Sequence, residues 1–113
     1  MRASEQAVLL RAFIGEDDKH GGLPLYEAIV LKAREMHLAG ATVLRGPIGF
    51  GRSSQIHMFK ITRLSFDLPM IVEIVDTQQH IDDFLPALQK IMSKGIVTLE
   101  KVTVLRYPTA KSA

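Results

Sequence analysis

Cysteine is absent from the 113 residues, which removes disulfide frameworks, zinc fingers and thiol nucleophiles together. No uncharged apolar run approaches the ~20 residues that a membrane-spanning helix requires. Charge of one sign is also lacking: 14 Lys and Arg stand against 12 Asp and Glu, a net charge of +2. These charges are scattered, without the basic stripe of a nucleic-acid binder, so no nucleic-acid partner is expected. The N-terminus, Met1-Arg2-Ala3-Ser4-Glu5-Gln6, has no basic region leading into a bare apolar stretch, because Arg11 interrupts the apolar segment beyond it. No secretory leader is expected, and the expected location is cytoplasmic. What is present is globular, with 47% hydrophobic and 23% charged residues. That balance excludes a disordered regulator or a collagen-like repeat. The length suits a single domain over 1–113.

Residues 7–14 read as a buried strand that stops at Gly15. Glu16 to Gly22 form a polar loop, and Leu23-Pro24 opens a helix with Pro24 near the first turn. Leu25, Ala28, Ile29, Ala33 and Met36 make its apolar stripe, and Gly40 is its natural stop. Residues 41–44 are a second strand. Residues 45–65 form a long loop in which Ile56 and Met58 alternate with Gln55 and His57, as in a strand returning from a glycine-rich turn. Residues 70–75 are the third strand. Asp76 or Thr77 caps a second helix with the stripe Ile81, Phe84, Leu85, Leu88, Ile91 and Met92. Pro86 lies inside it and predicts a kink or a late start. Lys94-Gly95 ends this helix, the last strand covers 97–105, and 108–113 read as a flexible tail.

The order is β-α-β-β-α-β, the split βαβ arrangement of ferredoxin-like α+β folds. It predicts a four-stranded antiparallel sheet with two helices on one face. Large apolar residues fall on both faces of the central strands: Leu9 and Phe13 alternate with Val8, Leu10 and Ile14, and Ile71 and Val75 with Met70, Val72 and Ile74. One subunit has no second layer for its open face. Burial of such side chains is worth roughly 1.5–3 kcal/mol each, so the sheet is expected to pack against further copies of the chain.

Gly46 to Ser53 matches G-x-x-x-x-G-R-S, one residue from a phosphate-binding P-loop. The match fails at Arg52, where a lysine belongs. It fails again after Ser53, where the chain alternates like a strand instead of opening a helix. Two readings remain. The glycines either form a hairpin with a bulge, or bring backbone N–H groups together with Arg45 and Arg52 into an anion cradle. The histidines at 20, 37, 57 and 80 show no metal-ligand spacing, and no metal site is expected. His37 and His80 read as solvated. So do the carboxylates of Glu16, Asp17 and Asp18. Glu73 interrupts an apolar strand: it either ion-pairs across the subunit interface or sits near the strand's wet end, and the nearest partner, on another strand of the same sheet, is Arg11. Lys94-Gly95 reads as a helix terminus with its glycine cap. No nucleophile–base spacing is visible, so no catalytic residue is assigned.

Several segments together resemble one family: Gly15-Glu16-Asp17, His20 to Glu27, Leu38 to Val43, Arg45-Gly46 to Gly49-Phe50-Gly51, and Leu68-Pro69 to Val72-Glu73-Ile74-Val75-Asp76. They resemble the bacterial and archaeal family called domain of unknown function 190, which belongs with the PII-like signalling proteins. The resemblance spans 7–107. It implies a regulatory protein rather than an enzyme, with a ferredoxin-like subunit in a homotrimer. It also implies an adenine nucleotide (AMP, ADP, ATP or a relative) in clefts between subunits, at the base of loop 45–65, with no other cofactor required. The loop would act on a partner protein such as a membrane transporter. The ligand-binding residues would be Arg45, Gly46, Gly49, Phe50, Gly51 and Arg52, faced by Lys94 and Gly95. The glycine-lysine phosphate loop of other PII proteins is reduced here to Lys94-Gly95-Ile96-Val97-Thr98, which favours fewer phosphates than three. The long loop has no tyrosine, so uridylylation is not expected. One alternative is a small ferredoxin-like enzyme using His57 or the Asp17/His20 pair. Another is a metal-tolerance trimer, which the lack of cysteine disfavours because thiolates favour Cu(I).

Overall fold

The structure, a computed structural model, describes residues 3–50, 56–58 and 67–107. Strand β1 is Ala3–Gly15, followed by the short β2 (Lys19–His20) and β3 (Leu23–Pro24). Helix α1 is Leu25–Glu35, β4 is Thr42–Arg45, and β5 (Ile48–Phe50) pairs with β6 (Ile56–Met58). Then come β7 (Pro69–Asp76), α2 (Gln78–Ile91) and β8 (Ile96–Arg106). The main sheet has the order β4-β7-β1-β8, every neighbour antiparallel. This is the expected ferredoxin-like α+β fold.

The period-2 pattern places Val8, Leu10, Ala12 and Ile14 on one face of β1, in register with Asp76, Ile74, Val72 and Met70 of β7. Both helices cover that face. Leu25, Ala28, Ile29 and Ala33 of α1 join Ile81, Phe84, Leu88 and Ile91 of α2 in one buried cluster with the strand residues. On the opposite face, Leu44, Ile71, Phe13 and Ile96 form a row across all four strands. Leu44 and Ile96 of that row are 45% and 60% exposed. The next row holds Thr42, Glu73, Arg11 and Thr98. Arg11 Nε donates to Glu73 Oε2 at 2.8 Å, and its Nη1 reaches Glu100 at 3.2 Å. Glu73 thus pairs with Arg11, the nearest partner in its own sheet.

Several boundaries differ from expectation. β1 starts at Ala3, not residue 7, because the polar residues Ser4 to Gln6 pair with Thr103 to Leu105. Helix α1 stops before His37, not at Gly40. His37 takes a left-handed conformation (φ 61°), its N–H donates to Arg34 O, and that of Leu38 donates to Ala33 O. This is a Schellman cap with histidine in the usual glycine position. Helix α2 begins at once after Thr77, whose side chain accepts from His80 N at 3.1 Å, so it has no late start. It continues through Pro86, which is exposed; the Asp82 carbonyl that loses its helical donor can turn to water. The β5–β6 pairing agrees with a strand returning from a turn, but most of loop 45–65, and the tail 108–113, lie outside the described residues. No helix among the described residues is long and apolar enough to cross a membrane.

Candidate functional site

One end of the sheet gathers most of the chain's chemistry. β1 and β4 finish there, and β7 and β8 begin there, since Gly15 faces Pro69, Arg45 faces Met70, and Phe13 faces Ile96. The turn after β1 holds this edge together. Asp18 N donates to Gly15 O (3.2 Å), and Gly15 N to Asp18 Oδ2 (2.9 Å), closing a tight loop. The Asp18 carbonyl accepts Leu25 N at 2.7 Å, supplying a partner for an amide of the first turn of α1. Glu16 N donates to Leu68 O, and Asp17 N to Asp67 Oδ1.

The two described cations assigned to the site flank this turn. Arg45, at the end of β4, pairs with Glu16. Lys94, just before β8, places Nζ 3.1 Å from Asp18 Oδ1. The Lys94 pKa is raised, first by its hydrogen bond to Asp18, then by the charges of Asp18 and Asp67, against an opposing desolvation effect. The Asp18 side chain is only 9% exposed. Its reading as a solvated loop carboxylate is corrected: the backbone hydrogen bonds of the turn draw it inward, where it meets a cation distant in sequence.

Gly46 and Gly49 sit against Pro69, and a Cβ at either would approach its Cγ to 2.8 or 2.9 Å. Neither has positive φ. Their requirement for glycine comes from this close approach, not from a left-handed anion nest. Gly46 N–H donates to Pro69 O at 2.8 Å and is thereby spent. Phe50 closes β5 opposite Ile56, whereas Gly51 and Arg52 lie outside the described residues. Gly95 has φ +101°, and a Cβ there would meet Phe13 O at 2.6 Å. It is a tight passage into β8, not the cap of α2, which ends at Ile91 with Met92 as its cap. Beside Lys94 a groove of about 440 Å³ runs between the end of α2 and β8, lined by Leu85, Leu88, Met92 and Val97.

The sequence reading missed Asp18, Asp67 and Pro69 as parts of this edge. The segment Gly15-Glu16-Asp17 was the available signal, but nothing local reveals which distant cations it meets. A second unforeseen cluster lies at the other end of β7. Asp76, 7% exposed, accepts Ala39 N (2.8 Å) and Thr77 N (2.7 Å) and lies 2.8 Å from His80 Nδ1. Desolvation alone would raise its pKa, but the two amides and His80 outweigh it and the pKa is lowered. His80 is exposed, as the solvated reading expects, and in addition its Nδ1 is anchored to Asp76. Asp17 and His20 are both exposed, and the side chain of His57 lies outside those described. Among the described residues, no group of three or more His, Asp or Glu is arranged to hold a metal.

The fold is that of PII-like proteins. CPII, a nitrogen regulatory PII-like protein from Thiomonas intermedia K12 whose structure contains ADP, AMP and bicarbonate, superimposes with a TM-score of 0.69 over 92% of each chain, at 13% identity. The family follows from sequence: the chain belongs to DUF190, described as "Uncharacterized ACR", whose model matches residues 7–104. A UPF0166 protein of Aquifex aeolicus (strain VF5) is 39% identical over 97 residues, covering 86% of this chain and 91% of the relative. Another UPF0166 protein, from Methanocaldococcus jannaschii, is 31% identical over 105 residues, covering 92% and 96%.

Proposed function

We propose that this chain is a PII-like regulatory protein that binds an adenine nucleotide or a similar phosphate-bearing ligand at the Arg45–Lys94 edge, without catalysing a reaction. The observation that carries the reading is the convergence of these two cations, 49 positions apart in sequence, on one turn at the root of the long loop. The fold's occurrence in a protein that holds ADP and AMP supports the choice of ligand. Phosphate oxygens would take charge-assisted hydrogen bonds from Arg45 and Lys94, with Arg52 as a further donor. The row Leu44–Ile71–Phe13–Ile96 supports assembly with further copies, because an apolar row of this size on a free surface invites association. A trimer would place each ligand edge beside a neighbouring subunit. Ligand binding would shift the population of loop conformations offered to a cytoplasmic or membrane-transporter partner. Calorimetry with ATP, ADP, AMP and cyclic dinucleotides tests the reading. Saturable binding of at least one adenylate is expected, and a flat response to the whole panel at millimolar concentration refutes it.

A further inference from the structure

We infer that the turn Glu16–Asp18 is a built-in competitor for the ligand: its carboxylates hold Arg45 and Lys94 in the empty protein, and an anion binds by taking those cations from them. This rests on the reading that the edge accepts a phosphate-bearing ligand.

Both pairs join residues remote in sequence, Glu16 with Arg45 and Asp18 with Lys94, so neither is a by-product of helical or strand spacing. In each pair the acid is the more buried member: 24% against 51% for Glu16 and Arg45, and 9% against 71% for Asp18 and Lys94. Asp18 is further fixed by Gly15 N–H on its second oxygen. Asp18 is thus held in place, and in both pairs the cation is the more exposed end. A long, exposed lysine or arginine can swing from a carboxylate to a phosphate with little change in the fold. The exchange replaces one charge-assisted contact by another, so the affinity observed is the difference between the two. The competitor weakens the ligand and keeps both cations oriented toward the edge until it arrives.

The test uses ADP and AMP titrated by calorimetry into the full-length protein and the variants Glu16→Gln, Asp18→Asn and Asp17→Asn. The Asp18→Asn side chain retains an oxygen for Gly15 N–H, and thermal melts establish that each variant is folded. Glu16→Gln, at the more exposed position, carries the test if Asp18→Asn does not fold. Loss of a part-exposed pair should tighten binding about two- to fivefold for Glu16→Gln, and up to about tenfold for the less exposed Asp18. Asp17→Asn removes the same charge from the same turn without touching either pair and should change affinity less than about twofold. Binding that appears only in Glu16→Gln or Asp18→Asn supports the proposal equally. If the unmodified protein binds ADP or AMP and neither variant binds more tightly, the competitor is refuted and the ligand reading stands. Equal gains in all three variants also refute it, because general charge then explains the effect. If no form of the protein binds either nucleotide, the ligand reading falls and the competitor falls with it.

Discussion

Removing the Asp76 carboxylate should be among the costliest single changes outside the apolar core. This side chain receives two backbone amides and one imidazole, all within 2.8 Å. It thereby links the segment after α1, through Ala39, to the first turn of α2, through Thr77 and His80. Hydrogen bonds to a charged group contribute about 1.5–3 kcal/mol each when their loss leaves a partner buried. His80 is half exposed and recovers water, and Ala39 recovers it in part, so the sum falls to about 2–4 kcal/mol for Asp76→Ala. Asp76→Asn should cost less, since its amide oxygen still accepts one of the two N–H groups. Urea unfolding at fixed protein concentration measures both, because the proposed assembly would make apparent stability depend on concentration. The pH dependence supplies a second check. The folded pKa of Asp76 lies below its ordinary value of 3.8, so its contribution is fully present above that value. It is lost as the pH falls through the folded pKa. The stability gap between the unmodified protein and Asp76→Asn should therefore narrow as the pH falls below about 4. A cost under about 1 kcal/mol for Asp76→Ala, or a gap that does not narrow below about pH 4, would refute the reasoning.

Gly95→Ala should destabilise by about 2–4 kcal/mol, because it combines a left-handed φ with a contact against the fixed Phe13 carbonyl; thermal unfolding reads this directly. His37→Gly should stabilise by about 0.5–1 kcal/mol by relieving the left-handed cost at the Schellman position, and a loss of stability would show that the imidazole does more than terminate the helix. On the proposed function, Arg52→Ala should weaken adenylate binding roughly 10- to 100-fold, the loss of one charge-assisted contact, with the oligomer unchanged in sedimentation. Phe13→Asp should dissociate the oligomer by placing a charge in the apolar row; dissociation by Arg52→Ala instead would overturn this division between loop and sheet.

The sheet and both helices were legible because their signals are periodic and local. Leu10, Val72 and Ile74 alternate along strands, and Ile81, Phe84, Leu88 and Ile91 recur at helical spacing, so each segment declares its own buried face. Ser4 to Gln6 carried no such signal. They are polar and become strand only because β8 offers backbone partners about a hundred positions away. The end of α1 was misplaced because glycine is the usual residue in a left-handed cap and histidine is not. At the candidate site, Arg45 was suggested by the glycine-rich segment beside it and by the resemblance, and Lys94 by the resemblance alone. Their carboxylate partners were not, because an acidic turn reads as solvated until the fold sets a cation beside it. The glycines of the loop base were read as a bulged hairpin or an anion cradle; that Gly46 and Gly49 make room for the Pro69 ring depends on a residue about twenty positions away.

That ring fixes the root of the long arm. Pro69 fills the slot left by two missing side chains, and its carbonyl takes the Gly46 amide. Rocking the root toward β7 would drive backbone into the pyrrolidine, so the arm is seated there as a beam set into a wall. The seat also places the residue just before it: with Gly46 held on Pro69, Arg45 leaves β4 at a set position opposite Met70, and its exposed side chain meets Glu16 beyond the end of β1. A rigid joint in the backbone thus sets the starting point of a long, flexible cation.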